Sequence, residues 1–126
     1  MILSTGIDII EVYRIRETMA RTPRFAIRVF TEKEREYCEG KGVAAAQSYA
    51  ARFAAKEAFL KALQTGWRGK ITWLDIEVVS SANGVPSLNI TNEAARLMEQ
   101  IGATNAHLSI SHTNEHAIAQ VILEKQ

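Results

Sequence analysis

The chain has 126 residues, 47% hydrophobic and 23% charged, the balance of one globular domain and not of a disordered or fibrous chain. Fifteen Lys and Arg against 14 Asp and Glu leave a net charge of +1, so global electrostatics names no partner. The single cysteine, Cys38, excludes an internal disulfide and a thiol-based zinc site, and no apolar run approaches the roughly 20 residues that span a bilayer.

Ile2 to Ile10 is rich in branched apolar residues and reads as a strand. Its opening, MILSTGIDII, has no basic leader and carries Asp8 in its apolar run, which argues against a signal peptide and predicts a cytosolic protein. A helix is expected from about Glu11 to Arg21, with Thr22-Pro23 as N-cap and first-turn proline of a restart. Thr31-Glu32-Lys33-Glu34 has capping-box spacing, so a short helix should begin there and end near Gly40. Val43 to Gln64 is alanine-rich and predicts a long central helix, with Gly66 as its stop.

Beyond it, Ile71 to Val79 has strand-type alternation, and Asn83-Gly84 with Pro86 marks a turn to a partner strand at Ser87 to Ile90. Thr91 or Asn92 can cap a helix that closes at Gly102. Two last strands, Ala106 to His112 and Ala117 to Leu123, flank the turn at Thr113-Asn114-Glu115. The order β-α-α-α-β-β-α-β-β predicts an α+β fold, an antiparallel sheet packed on the long helix, in one domain over residues 1–126.

Two carboxylates stand where apolar residues are expected. Asp8 lies between Ile7 and Ile9, and a buried carboxylate normally finds a cation or a donor; the plain alternative is a strand-end aspartate facing water. Glu57 lies on the long helix among Ala50, Phe53, Ala54 and Leu60, with Lys61 one turn on; the plain alternative is a helical Glu–Lys pair. Together the two carboxylates suit Mg²⁺, which takes one or two carboxylates and fills its shell with water and phosphate oxygens. Arg52, Lys56 and Lys61 on the same helix supply positive charge for a phosphate. His107 and His116 read as ordinary residues, as does Cys38. Arg14, Arg21, Arg24 and Arg28 would form a basic stripe on an unbroken helix, suited to an acidic helix of a protein partner.

Gly6-Ile7-Asp8-Ile9-Ile10-Glu11 with Arg14-Ile15 resembles the N-terminal signature of the holo-[acyl-carrier-protein] synthases, the small phosphopantetheinyl transferases. Arg52-Phe53-Ala54-Ala55-Lys56-Glu57-Ala58 with Lys61-Ala62 resembles their second signature. Phe30 to Glu34, Gly66 before Trp73 to Glu77, Asn83-Gly84 with Pro86, and Ser109 to His112 fit as well, so the likeness runs the whole length.

This resemblance implies transfer of 4′-phosphopantetheine from coenzyme A to a serine of apo acyl carrier protein, with release of adenosine 3′,5′-bisphosphate, in support of fatty acid biosynthesis. It further implies Mg²⁺ as cofactor and a homotrimer with active sites between subunits. Asp8 and Glu57 would hold the metal, and Glu57 or a metal-bound water oriented by Asp8 would act as base. Lys61 would stabilise charge on the pyrophosphate, while Arg52 or Lys56 would meet another phosphate. The turn with Asn83, Gly84 and Pro86 would border the adenine, and His112 would reach the nucleotide phosphates from an adjacent subunit. Arg14, Arg21, Arg24 and Arg28 would meet the carrier protein; neither nucleic acid nor a membrane is expected as partner. The alternatives are a transferase serving secondary-metabolite carriers and a non-catalytic module that grips an acidic protein or nucleic acid.

Overall fold

The computed structural model describes residues 1–64 and 70–126. β1 (Ile2–Glu11) opens the chain and leads directly into α1 (Val12–Arg21), which turns Val12 and Ile15 inward. The Thr22 amide then donates to the Thr18 carbonyl at 2.8 Å and closes α1. Thr22 is therefore the end of one helix, not the cap of the next. Pro23 stands in the turn, and α2 (Phe25–Val29) starts two residues later. Among the described residues, four α-helices therefore lie between the first two strands, where the predicted order has three.

α3 (Glu32–Glu39) starts with the predicted capping box: Thr31 Oγ1 accepts from the Glu34 amide at 3.2 Å, and Glu34 Oε1 accepts from the Thr31 amide at 2.8 Å. A 3-10 turn, Gly42–Ala44, leads into α4 (Ala45–Leu63). Its residues Ala50, Ala51, Ala54, Ala55, Ala58, Phe59, Ala62 and Leu63 are all buried, so nearly its whole circumference is core, as its composition predicts. Gln64 ends it in the left-handed region at φ 62°. The expected stop at Gly66 lies outside the described residues.

The predicted strand from Ile71 is shorter than expected. Thr72 and Asp75 form a second capping box, with Asp75 Oδ2 accepting from the Thr72 amide at 3.2 Å, and this winds Trp73–Asp75 into a 3-10 turn. Only Ile76–Ser80 is β2; β3 (Pro86–Ile90) returns beside it. α5 (Asn92–Gln100) follows, and Gly102 at φ 87° supplies the left-handed exit toward β4 (Asn105–His112) and β5 (His116–Glu124).

Among the described residues the strands form two antiparallel sheets: three strands in the order β1-β5-β4, and the β2-β3 hairpin. Hairpin partners pair locally, and β1 joins the far end of the chain, with Asp8 opposite Ala119 and Ile9 opposite Ile118. α4 lies across the inner face of the larger sheet. One part of the core sits between them, around Phe59, Leu63, Val121 and Leu123; the other lies under α1 to α3, around Val12, Val29, Phe30 and Tyr49. Full burial of side chains such as Phe59 or Leu63 contributes about 1.5–3 kcal/mol each. Among the described residues, no helix is long and apolar enough to cross a membrane.

Gly6 sets how closely β1 meets α4. A Cβ there would stand 2.0 Å from the Ala58 carbonyl oxygen and 2.6 Å from the Ala62 nitrogen. Ser4 Oγ, two residues earlier, donates to the Ala62 carbonyl at 2.6 Å. Strand and helix thus touch backbone to backbone, and Asp8 is delivered to the helix face that carries Glu57 and Lys61.

Candidate active site

Asp8 and Glu57 line one cleft of about 400 Å³, walled by Ile10, Phe25 and Phe53 and edged by Arg14. The Asp8 side chain is 16% exposed and pairs with Lys61, whose Nζ stands 3.0 Å from Asp8 Oδ1 and 3.0 Å from the Ile7 carbonyl. Burial, then the charge of Asp8, raise the proton affinity of Glu57, against a smaller opposing pull from Lys61. The cleft thus brings two carboxylates beside the Lys61 ammonium. That donor set fits a hard divalent cation, which needs only one or two carboxylates when water and phosphate oxygens complete its shell.

Lys56, one residue before Glu57, faces the other way. Its ammonium is fully buried and donates to Glu34 Oε1 at 2.8 Å, to the Trp73 carbonyl at 3.0 Å and to the Ile76 carbonyl at 2.6 Å. Glu34 is equally enclosed, its second oxygen accepting from the Val78 amide at 2.8 Å. All three lysine protons are used inside the core, so Lys56 is not available to a phosphate, contrary to the expectation from sequence. It ties α3, α4 and β2 together.

Arg52 is also separated from Lys61. It lines a second cavity of about 390 Å³ with Tyr37, Lys41, Ser80, the Gly84–Pro86 turn and His112. The two cavities share no lining residue among those described. Helical phase explains the split: five residues at 3.6 per turn put Arg52 and Glu57 about 140° apart around α4. Within one chain Arg52 thus stands apart from Lys61 and lines one cavity with Gly84, Pro86 and His112. Asn83 lies in the same turn, its side chain accepting from Ser81 Oγ, and Gly84 takes φ 81° there. Tyr37, Lys41 and Ser80 were not singled out from the sequence; Tyr37 and Lys41 carry no motif, and Ser80 reads simply as a strand end.

Arg14, Arg21, Arg24 and Arg28 are all exposed, on α1, on α2 and in the turn between them. The break at Thr22-Pro23 prevents a single helical stripe. Arg14 makes only a loose pair with Glu11 at 3.8 Å, and it alone of the four reaches the Asp8–Glu57 cleft.

The carboxylate cleft and a separate cationic pocket, carried by opposite sides of one helix, fit an enzyme that works on a phosphorylated substrate. Residues 4–121 match the family model of the 4′-phosphopantetheinyl transferase superfamily, and the chain belongs to that superfamily. Within it, the chain is 48% identical over 125 residues to the holo-[acyl-carrier-protein] synthase of Koribacter versatilis, covering 98% of this chain and 99% of the relative. Among solved structures, the Bacillus anthracis holo-(acyl-carrier-protein) synthase in complex with CoA (3′,5′-ADP) superposes with a TM-score of 0.82 at 41% identity, covering 100% and 99% of the two chains. The Helicobacter pylori holo-[acyl-carrier-protein] synthase in complex with coenzyme A gives 0.82 at 32% identity, covering 95% and 99%.

Proposed function

We propose that this single-domain protein transfers 4′-phosphopantetheine from coenzyme A to a serine of apo acyl carrier protein, releasing adenosine 3′,5′-bisphosphate. The observation that carries this reading is the meeting of Asp8 and Glu57 beside Lys61 in one cleft. The full-length likeness to holo-[acyl-carrier-protein] synthases favours primary fatty acid biosynthesis in the cytoplasm over service to secondary-metabolite carriers.

The serine oxygen bonds to the phosphorus that bears pantetheine, and the bond from that phosphorus to the nucleotide's bridging oxygen breaks. The electron pair leaves with adenosine 3′,5′-bisphosphate. Glu57, or a metal-bound water oriented by Asp8, would take the serine proton; burial and the charge of Asp8, which raise the proton affinity of Glu57, support a part for this carboxylate. Lys61 balances negative charge at the cleft. Asp8 and Glu57 would hold Mg²⁺, which when bound screens the pyrophosphate charge and steadies the leaving group.

Arg52, Gly84, Pro86 and His112 serve the nucleotide end of coenzyme A, with Asn83 in the supporting turn. Because Arg52 and Glu57 face different sides of α4, a ligand that touches both cavities draws them from two copies of the chain. The outer face of the β1-β5-β4 sheet supports such an assembly: Ile7 is 55% exposed, Ile9 63% and Ile118 37%, and they adjoin across the strands. We assign that face to a homotrimer. Arg14, Arg21, Arg24 and Arg28 receive the acidic carrier, Arg14 leading it to the cleft.

The test is the intact mass of apo acyl carrier protein after incubation with this protein, coenzyme A and Mg²⁺, with an EDTA control. A gain of one phosphopantetheine that EDTA abolishes is expected. No gain on several apo carriers would reject the reading in favour of a non-catalytic module.

A further inference from the structure

Arg52 is anomalous for a buried cation. It is 4% exposed, yet among the described residues its guanidinium has one hydrogen bond, Nη2 to Ser80 Oγ at 3.0 Å, and no carboxylate partner. Its Nε is buried with no acceptor among the described residues. A guanidinium has five donors, and leaving them unpaired away from water is costly. What holds it instead is Tyr37: the Arg52 Cζ stands 3.9 Å from the centre of the Tyr37 ring.

The same ring holds a second cation, with Lys41 Nζ 4.6 Å from its centre. Two like charges gathered on one ring beside a cavity, with no acidic side chain lining that cavity among the described residues, lack a counter-ion. The Ser80 hydroxyl and, less strongly, the Lys41 ammonium draw the Tyr37 phenol below its usual range, as expected for an oxygen surrounded by donors and positive charge. Tyr37 is 36% exposed, so filling the core is not its main task.

We propose that Tyr37 is a positioning residue that, with Ser80, presets Arg52 to grip the 3′-phosphate of coenzyme A, and thereby sets the preference for coenzyme A over 3′-dephospho-coenzyme A. The inference rests on the functional reading above. The reacting pyrophosphate belongs with Asp8 and Glu57, whose cleft shares no residue with this pocket. Coenzyme A has one phosphate besides the pyrophosphate, the 3′-phosphomonoester on its ribose. A guanidinium held over an aromatic ring and anchored at one Nη is fixed in place beside the cavity, and a phosphomonoester can accept from its remaining Nη donors. Tyr37 makes the geometry available before the ligand arrives, which reduces the ordering cost of binding.

The test compares wild type, Tyr37→Leu and Tyr37→Phe with coenzyme A and with 3′-dephospho-coenzyme A, using apo acyl carrier protein as acceptor. For Tyr37→Leu, which keeps bulk but removes the ring, the ratio of the two kcat/KM values should fall about tenfold, with the loss in KM for coenzyme A. Tyr37→Phe keeps the ring and should retain most of the preference. A Tyr37→Leu variant that loses equally on both substrates has a merely structural Tyr37, and one that keeps the ratio does not need the ring; either result overturns the proposal.

Calorimetry of the same proteins with adenosine 3′,5′-bisphosphate and with 5′-AMP gives a reading that needs no turnover. The wild-type preference for the bisphosphate should shrink about tenfold in Tyr37→Leu. Absence of turnover by the wild type would reject the transferase reading, while the calorimetric ratio would still decide the role of Tyr37.

Discussion

Gly6 of β1 lies against Ala58 of α4 with no room for a single methyl group between them: a Cβ at residue 6 would meet the Ala58 carbonyl oxygen at 2.0 Å. The obstacle is helix backbone, which cannot swing aside as a side chain would. Gly6→Ala must therefore push β1 away from α4 and carry Asp8 with it. The expected cost is about 1–3 kcal/mol, typical of overpacking, read as a lower denaturant midpoint. Mg²⁺ affinity should fall alongside. A Gly6→Ala protein with wild-type midpoint and metal affinity would show that the crossing does not position Asp8.

Glu57→Gln keeps size and hydrogen bonding while removing the charge. The fold should persist and turnover should drop by about 10²-fold or more, within the range for loss of a general base. Wild-type rates at limiting Mg²⁺ would sink both the metal and the proton assignments.

The pH dependence of metal binding follows from the raised proton affinity of Glu57. In the metal-free fold its carboxyl holds a proton more tightly than an ordinary glutamate at 4.5, because of burial first and the charge of Asp8 second. Folding thus favours the protonated form, and the stability this contributes at low pH is lost as pH rises through the ordinary value and up to the folded one. Mg²⁺ competes with that proton, so its affinity should rise with pH over a range displaced above 4.5. Titrations by calorimetry at several pH values check this. In Glu57→Gln the displaced step should vanish, and the metal-free variant should melt slightly higher than wild type at neutral pH.

Lys56→Met tests the buried tie among α3, α4 and β2. Removal of the ammonium leaves the Glu34 carboxylate enclosed with only the Thr31 and Val78 amides. Breaking a buried pair at one end costs about 3–5 kcal/mol, and Lys56→Met/Glu34→Leu should recover part of it because no charge is then stranded. If Lys56→Met melted like wild type while coenzyme A binding collapsed, the lysine would be a ligand contact after all.

Replacing Arg21, Arg24 and Arg28 by alanine removes exposed charge far from the cleft's interior. The KM for carrier protein should rise several-fold, and its dependence on salt should flatten. Steady-state kinetics at two ionic strengths reads both; an unchanged salt slope would move the carrier to another surface.

Much of this architecture was legible in the chain because the deciding interactions are local. Thr31 and Glu34 announce their capping box three residues apart, and the alanines of α4 announce burial by composition. Asp8 and Glu57 were conspicuous as charges in apolar settings. What escaped the sequence depends on distant partners or on competing local signals. Alternation from Ile71 favoured a strand, but the Thr72–Asp75 box won its first residues. Thr22-Pro23 carries a start signal and a stop signal at once, and the Thr22 amide settled it by closing α1. Lys56 looked like phosphate charge because Glu34, its partner, is 22 residues away. The separation of Arg52 from Glu57 was present in the helical phase and was obscured by reading the helix's cations as one set. Tyr37 needed the fold to bring α3 beside the hairpin.

At six buried positions α4 presents only a methyl group: Ala50, Ala51, Ala54, Ala55, Ala58 and Ala62. A side chain already reduced to one methyl has almost nothing left to trim, so the tolerance of these positions to change is one-sided. Most single replacements there can only enlarge, and each enlargement pries a neighbouring strand or helix outward. The sequence there is constrained by a ceiling on volume, and drift at these positions is confined to exchanges among the smallest side chains.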